Sequence, residues 1–327
     1  MPFRLVPAET KLDFLRLRFA AFVLSAILIV ASGLVFSIRG LNFGIDFAGG
    51  ILIEAGTENP PDVGLFRSTV SGLGLGDASI QEFGASAVDL TLEDVAGQDA
   101  PSNYSVLIRI EAQEGGEDVG QAAVLTVQNA LTEAVGEEIS WRRIEFVGPK
   151  VSGELIQDGI LSVVLAVIAV LIYIWFRFEW QFGVGAVVAL VHDVLLTVGL
   201  FSSTGLEFNL TSIAAILTIV GYSLNDTVVV YDRIRENLRK YRSMALIDVL
   251  NMSLNSTLSR TLMTSVTTLL ALLALFFFGG PVIRGFTAAM IWGVFIGTYS
   301  SVFIAAPVLL FLKVNRPTIE DAAKATP

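Results

Sequence analysis

The segment FNLTSIAAILTIVGYSLNDTVVVYDRIRENLRKYR, residues 208–242, runs apolar from Phe208 to Val230 and then turns abruptly basic. A helix of about 20 apolar residues crosses a hydrocarbon core of roughly 30 Å, so Phe208 to Val230 reads as a membrane span. Its far end gives the orientation. Arg233, Arg235, Arg239, Lys240 and Arg242 crowd that flank, and short Lys/Arg-rich flanks stay on the cytoplasmic side. Inside the span sit Asn225 and Asp226, about one and a half helical turns before the charged border at Asp232 and Arg233. An Asp at the centre of a membrane helix costs about 2.5 to 3.5 kcal/mol on insertion scales. The segment therefore predicts a membrane fold and a polar site within it.

Five further apolar runs surround this one: Phe19 to Ile38, Gly159 to Phe176, Phe182 to Leu206, Thr261 to Gly279, and Phe286 to Leu312, the last with a kink expected at Pro307. The composition agrees, since the 327 residues are 54% hydrophobic and only 16% charged, with a mean hydropathy of +0.70. The first run is about 20 residues long and bracketed by Arg18 and Arg39; a cleaved signal peptide usually has a shorter core and a small-residue cleavage site, which favours an uncleaved anchor here. Arg4, Lys11, Arg16 and Arg18 precede it, and six crossings return Lys313 and Arg316 to the same side. The expected organisation is a cytoplasmic N-terminus (1–18), the first helix (19–38), an external domain (39–156), a five-helix block (157–312) and a cytoplasmic tail (313–327).

The external insert is chemically distinct from the rest. From Leu41 to Leu155 it holds 19 Asp/Glu against 5 Lys/Arg, a local balance of -14, so everything else sums to +4 within the overall formal charge of -10. An acidic surface argues against a nucleic-acid partner, and simple solvation explains it best. Four stretches carry strand patterning: ILIEA (51–55), SIQEF (79–83), SVLIRI (105–110) and ISWRRIEFV (139–147). Helices are expected at Asp62 to Leu73 and at Asp118 to Val135, with Asp118 as N-cap. The order βαββαβ predicts an α+β, ferredoxin-like sandwich inserted between helices 1 and 2. The pattern-poor stretch from Ala85 to Asn103 reads as an excursion or loop.

Two other intramembrane polar features need an account. Arg260 lies near the start of the fifth span at a depth similar to Asp226, and Ser256, Arg260, Thr264 and Thr268 recur at i+4 spacing on one face. Thr211, Thr218, Tyr222, Asn225 and Asp226 cluster on the fourth span. Two such stripes face to face would form a hydrated track, in which an Asp alternating between a paired carboxylate and a neutral acid carries protons. A static Asp226–Arg260 pair that fixes helix register is the competing reading. His192 and Asp193 sit near the middle of the third span. His192 is the chain's only histidine and no second ligand cluster accompanies it, which argues against a metal site. For Asp193, helix-to-helix hydrogen bonding and a part in proton movement are both open.

GIDFAGG (44–50) and VGPKVSGEL (147–155) flank the insert at its two junctions, with Gly44, Asp46, Gly49, Gly50, Gly148, Pro149 and Gly153 as turn or hinge residues. Neither segment resembles a phosphate-cradling loop and no GxxxxGK[ST] occurs, so ATP hydrolysis is not expected. The sequons at Asn209 and Asn255 fall at or inside spans and are discounted as glycosylation sites.

With HDV (192–194), YSLNDTVVVYDRIREN (222–237) and SRTLMTS (259–265), these two junction motifs resemble the SecD/SecF family, on its SecF side, over Gly40 to Leu312. The resemblance implies an RND-like half and a subunit that pairs with SecD in the bacterial plasma (inner) membrane. It implies service to the SecYEG channel and the SecA motor, promoting late export and release at the outer face. The coupling ion would be the proton, with no other cofactor and no enzymatic activity. By the same resemblance Asp226 is the titrating carboxylate, Arg260 its partner and Thr264 a neighbour, and the insert is a periplasmic domain that an unfolded exported polypeptide could touch. The alternatives are an RND-like exporter of small molecules or lipids, which usually carries two such halves in one chain, and a passive scaffold subunit.

Overall fold

The structure, a computed structural model, describes residues 10–57, 59–83, 104–113, 117–136, 138–279, 281–312 and 314. The expected excursion from Ala85 to Asn103, the flanking charges Arg4, Lys313 and Arg316, and all of the 313–327 tail except Val314 lie outside the described residues.

After a short 3-10 turn, α1 (Arg18–Arg39) forms the first long apolar helix. The chain then makes β1 (Asn42–Phe43), α2 (Ile45–Ala48), β2 (Gly50–Thr57), α3 (Val63–Gly72), β3 (Ala78–Phe83), β4 (Tyr104–Ile110), α4 (Glu117–Val135) and β5 (Ser140–Val147). Strand order in the four-stranded sheet is β3-β4-β2-β5, with every neighbouring pair antiparallel. Alternation along β2 sends Ile51, Ile53 and Ala55 to one face, where they are buried with Val106, Ile108 and Ile110 under Phe66 and Val70 of α3 and Val127 and Leu131 of α4. Asp62 caps α3, accepting from the Gly64 and Leu65 amides at 2.9 and 3.1 Å. Asp118, expected as the N-cap of α4, instead lies within its first turn, a position that suits an acidic side chain at the positive end of the helix dipole.

The membrane block follows as α5 (Pro149–Arg177), α6 (Trp180–Thr204), β6 (Glu207–Phe208), α7 (Leu210–Lys240), α8 (Leu246–Phe278), α9 (Pro281–Ser300), a π-helical turn (Ser301–Ala305) and α10 (Ala306–Phe311). Among the described residues, six helical segments are long and apolar enough to cross a membrane. Several extend well beyond their apolar windows. The α5 helix starts at Pro149, where a proline at the first helical position loses nothing by lacking an N–H, so VGPKVSGEL is mostly helix. The α8 helix starts at Leu246, which puts Arg260 in its middle rather than near its beginning. The distortion expected at Pro307 falls upstream. Pro307 cannot donate a backbone hydrogen bond and crowds the preceding turn, and the chain widens into the π-turn at 301–305.

The apolar windows of α6, α7 and α9–α10 are 56%, 50% and 61% buried against 11% for each of α1, α5 and α8, so the first three form the centre of the block. The inserted α+β domain is pinned to the α6–α7 connection. β1 pairs in parallel with β6, the Leu210 amide donates to Asp46 Oδ2 at 2.9 Å, and Arg109 of β4 forms an ion pair with Glu207 at 2.7 Å. Above this junction, Leu52, Leu107 and Arg143 of the sheet and Leu206 and Phe286 of the membrane block border a cleft of about 300 Å³.

Candidate functional site

Asp226 lies on the buried side of α7 and is only 7% exposed. Its Oδ1 accepts from Thr261 Oγ1 of α8 at 2.6 Å, and its Oδ2 accepts from Ser301 Oγ at the start of the π-turn. Three helices thus converge on one carboxyl through two hydroxyls.

Among the described residues Asp226 and Arg260 do not form the expected direct ion pair: Arg260 is exposed, although its charge remains within electrostatic range of the carboxyl. The reason is helical register. Ser253, Thr257, Thr261 and Ser265 are buried, whereas Ser256, Arg260 and Thr264 are exposed. Both series recur every four residues and both are polar, so the sequence did not say which faced inward; one residue of rotation, about 100°, separates them. Thr264 Oγ1 bonds only to carbonyls of its own helix, those of Arg260 and Thr261. Asn225 is exposed next to the inward Asp226, in line with Thr211, Thr218 and Gly221 on the outer face of α7.

A second acid lies one helix away. Asp193 of α6 is completely buried, with Oδ1 at 2.8 Å from His192 Nδ1 and Oδ2 accepting from Ser223 Oγ at 2.5 Å and Ser300 Oγ at 2.7 Å. His192 Nε2 is 3.1 Å from Ser25 Oγ of α1, which is 3.0 Å from the Tyr299 hydroxyl. The His192 ring also stacks on Tyr299.

Close helix approach makes these contacts possible. A Cβ on Gly297 of α9 would stand 3.1 Å from Ser223 Cβ, and one on Gly293 would collide with Ile219. Small residues at such crossings let backbones approach, which brings Ser300 and Ser301 within reach of both acids. Sequence reasoning missed Ser25, Ser223, Thr261, Tyr299, Ser300 and Ser301. One signal was present, the adjacent serines of TYSSVFIAAP (298–307), six to seven residues before a helix proline.

The junction motifs are placed as follows. Gly44 caps the short α2, Asp46 anchors α7 as described, and Gly49 and Gly50 have φ of +73° and +124°. Gly148 and Pro149 start α5, with Ser152 Oγ donating to the Gly148 carbonyl at 3.2 Å. Gly153 is an exposed helical residue with open space beside it.

A multi-pass membrane protein with six candidate spans among the described residues, an α+β insert between the first two and two hydroxyl-bound acids in its helix core is the class that fold and site define. The chain matches the family model "Protein export membrane protein SecD/SecF, C-terminal" over residues 126–315 and "SecD/SecF GG Motif" over residues 34–61. The protein translocase subunit SecF of Rhodobacter capsulatus is 49% identical, over 96% of this chain and 92% of its own length, and that of Rickettsia rickettsii is 42% identical, over 98% of each. Among solved structures, SecDF of Thermus thermophilus, a translocon-associated membrane protein, superposes with a TM-score of 0.79 at 32% identity over 96% of this chain. SecDF in a super-membrane-facing form gives 0.65 at 34% identity. This chain spans about two fifths of the SecDF chains it matches, 40% and 41%. The chain belongs to the SecF family.

Proposed function

We propose that this chain is the SecF-like half of a proton-driven accessory to the Sec protein-export machinery. It pairs with SecD in the bacterial inner membrane and promotes late translocation and release of exported polypeptides delivered through SecYEG by SecA. The external insert lies on the periplasmic side and both termini are cytoplasmic, the reading that the basic flanks support. Its strand order and its βαββαβ succession support a ferredoxin-like sandwich.

One observation carries the reading: Asp226 is buried in a membrane helix and held by two hydroxyls, with no direct ion pair among the described residues and the Arg260 charge within electrostatic range. A hydroxyl donates to a carboxylate or accepts from a carboxylic acid, so this cage accommodates both protonation states. A permanent ion pair would favour one. Arg260 is one residue beyond Thr261, and rotating α8 by about 100° would exchange the hydroxyl for the guanidinium opposite Asp226. That exchange supplies the switch between proton-bound and ionised states.

The outer face of α7 supports a membrane partner. Thr211, Ala214, Thr218, Gly221 and Asn225 are exposed along it, and Arg260 and Thr264 of α8 are exposed as well. Polar and small residues at membrane depth are typical of helix–helix contacts rather than of lipid-facing surface. The test is Asp226→Asn. The variant is expected to retain expression and SecD copurification while losing proton-dependent stimulation of export in energised vesicles, and normal export would overturn the reading.

A further inference from the structure

The network around Asp193 has the same permissive chemistry as the Asp226 cage, and it includes the chain's only histidine. We infer that His192 and Asp193 form a second proton-binding station, coupled to Asp226 through the adjacent hydroxyls of Ser300 and Ser301. The inference rests on Asp226 acting as the proton carrier proposed above.

The donors and acceptors balance in either state. Without the extra proton, His192 Nδ1–H donates to Asp193 Oδ1, Ser223 and Ser300 donate to Oδ2, and Nε2 accepts from the Ser25 hydroxyl. With the proton on Nε2, that nitrogen donates to Ser25 Oγ, the Ser25 hydroxyl turns to the Tyr299 oxygen 3.0 Å away, and Tyr299 donates to the Ala21 carbonyl at 3.0 Å. No polar group in this string loses its partner in either arrangement. A histidine that only braced two helices would need just one of them.

Coupling follows from the serines. Besides its carboxyl partner, Ser300 Oγ has the Gly297 carbonyl at 3.2 Å, and Ser301 Oγ has the Thr298 carbonyl at 3.0 Å. When an acid takes up a proton, its own O–H can donate to the serine oxygen while the serine hydroxyl turns to the backbone. The two serines are consecutive where α9 passes into the π-turn, so a backbone adjustment at one moves the other. Among the described residues, the ionisable groups bordering the two stations are His192 and Asp193 of α6, Asp226 of α7, Tyr299 of α9 and Arg260 of α8, whose charge acts on Asp226.

Because the chain has a single histidine, labelling it with ¹⁵N-histidine, with a purification tag free of histidine, reports on this site alone. In solid-state NMR of the full chain in lipid bilayers, the non-protonated Nε2 resonance is expected at alkaline pH and lost on acidification. The pH of that loss is expected to move in Asp226→Asn. The displacement should vanish when Ser300→Ala and Ser301→Ala are added. A wild-type Nε2 signal that never changes over the range in which imidazole titrates overturns the second station and needs no variant. Titration that ignores Asp226→Asn overturns the coupling. Neither result touches the role of Asp226, which stands or falls on the export assay of Asp226→Asn.

Discussion

Ser300 and Ser301 are neighbours in sequence, yet their hydroxyls serve acids on two different helices: Ser300 donates to Asp193 of α6 at 2.7 Å and Ser301 to Asp226 of α7. Successive side chains on a regular helix diverge by about 100°, and here that divergence spans the gap between two adjacent helices. The π-turn beginning at Ser301 and the tight Gly297 crossing hold the pair at the right depth. A widened turn is a known mark of functional positions in helices, and here it lies where α9 reaches both buried acids.

The inward register of α8 makes unequal demands on two threonines. Thr261→Val removes a donor to a buried carboxyl and is expected to cost about 1 to 3 kcal/mol and to depress proton-dependent export. Thr264→Val loses only bonds to carbonyls of its own helix and should stay within about 0.5 kcal/mol. Thermal unfolding in detergent and export in energised vesicles measure both. Equal effects would mean that α8 presents a different face to α7.

Gly297 and Gly221 offer a second contrast. A methyl at Gly297 presses on the Ser223 backbone and side chain, whereas one at Gly221 meets nothing within 4 Å. Gly297→Ala should therefore destabilise the isolated chain by roughly 1 to 3 kcal/mol. Gly221→Ala should stabilise the isolated chain by about 0.5 to 1 kcal/mol through helix propensity yet reduce copurification of SecD, because the exposed stripe on α7 is the proposed partner face. Unfolding midpoints of the chain alone, set against yields of the pair, separate the two.

The six long apolar helices among the described residues were legible because hydrophobic length acts through bulk solvent and needs no neighbours to be interpreted. Strand patterning in the insert was legible for a related reason, since alternation at Ile51, Ile53 and Ala55 reports one buried face directly. The site was legible only as Asp226 and Asp193, residues whose burial is costly enough to demand partners. Which partners depended on helix rotation, and on α8 two polar i+4 series lie one residue apart, so Thr261 could not be told from Arg260. The Ser300–Ser301 bridge was hidden for another reason: serines are cheap in a membrane helix, where they bond to their own backbone, and carry no charge to flag them.

The two junction motifs should respond differently to the same substitution. Gly50 has φ of +124°, and a Cβ there would run into the Ile110 carbonyl, whereas Gly153 is helical with open space around it. Gly50→Ala is expected to break the register of β2 against β4 and to expose the external domain to protease. Gly153→Ala should stabilise α5 by about 0.5 to 1 kcal/mol through helix propensity. Limited proteolysis and thermal unfolding check the pair, and a benign Gly50→Ala would show that the turn adopts another backbone path.

Arg260 carries the last prediction. It is exposed in the isolated chain and forms no ion pair among the described residues, so Arg260→Ala should leave its unfolding within about 0.5 kcal/mol of wild type. A guanidinium serving only as a contact to SecD would lose copurification when removed. One that comes to face Asp226 as α8 rotates would keep copurification and lose proton-dependent export, and this second outcome is expected because Thr261 and Arg260 occupy adjacent positions on the helix that meets Asp226. Arg260→Lys refines the test. It keeps the charge but lacks the planar fork that grips a carboxylate through two hydrogen bonds, so a switch that depends on that geometry should recover only part of its stimulation, while one that needs charge alone should recover nearly all of it.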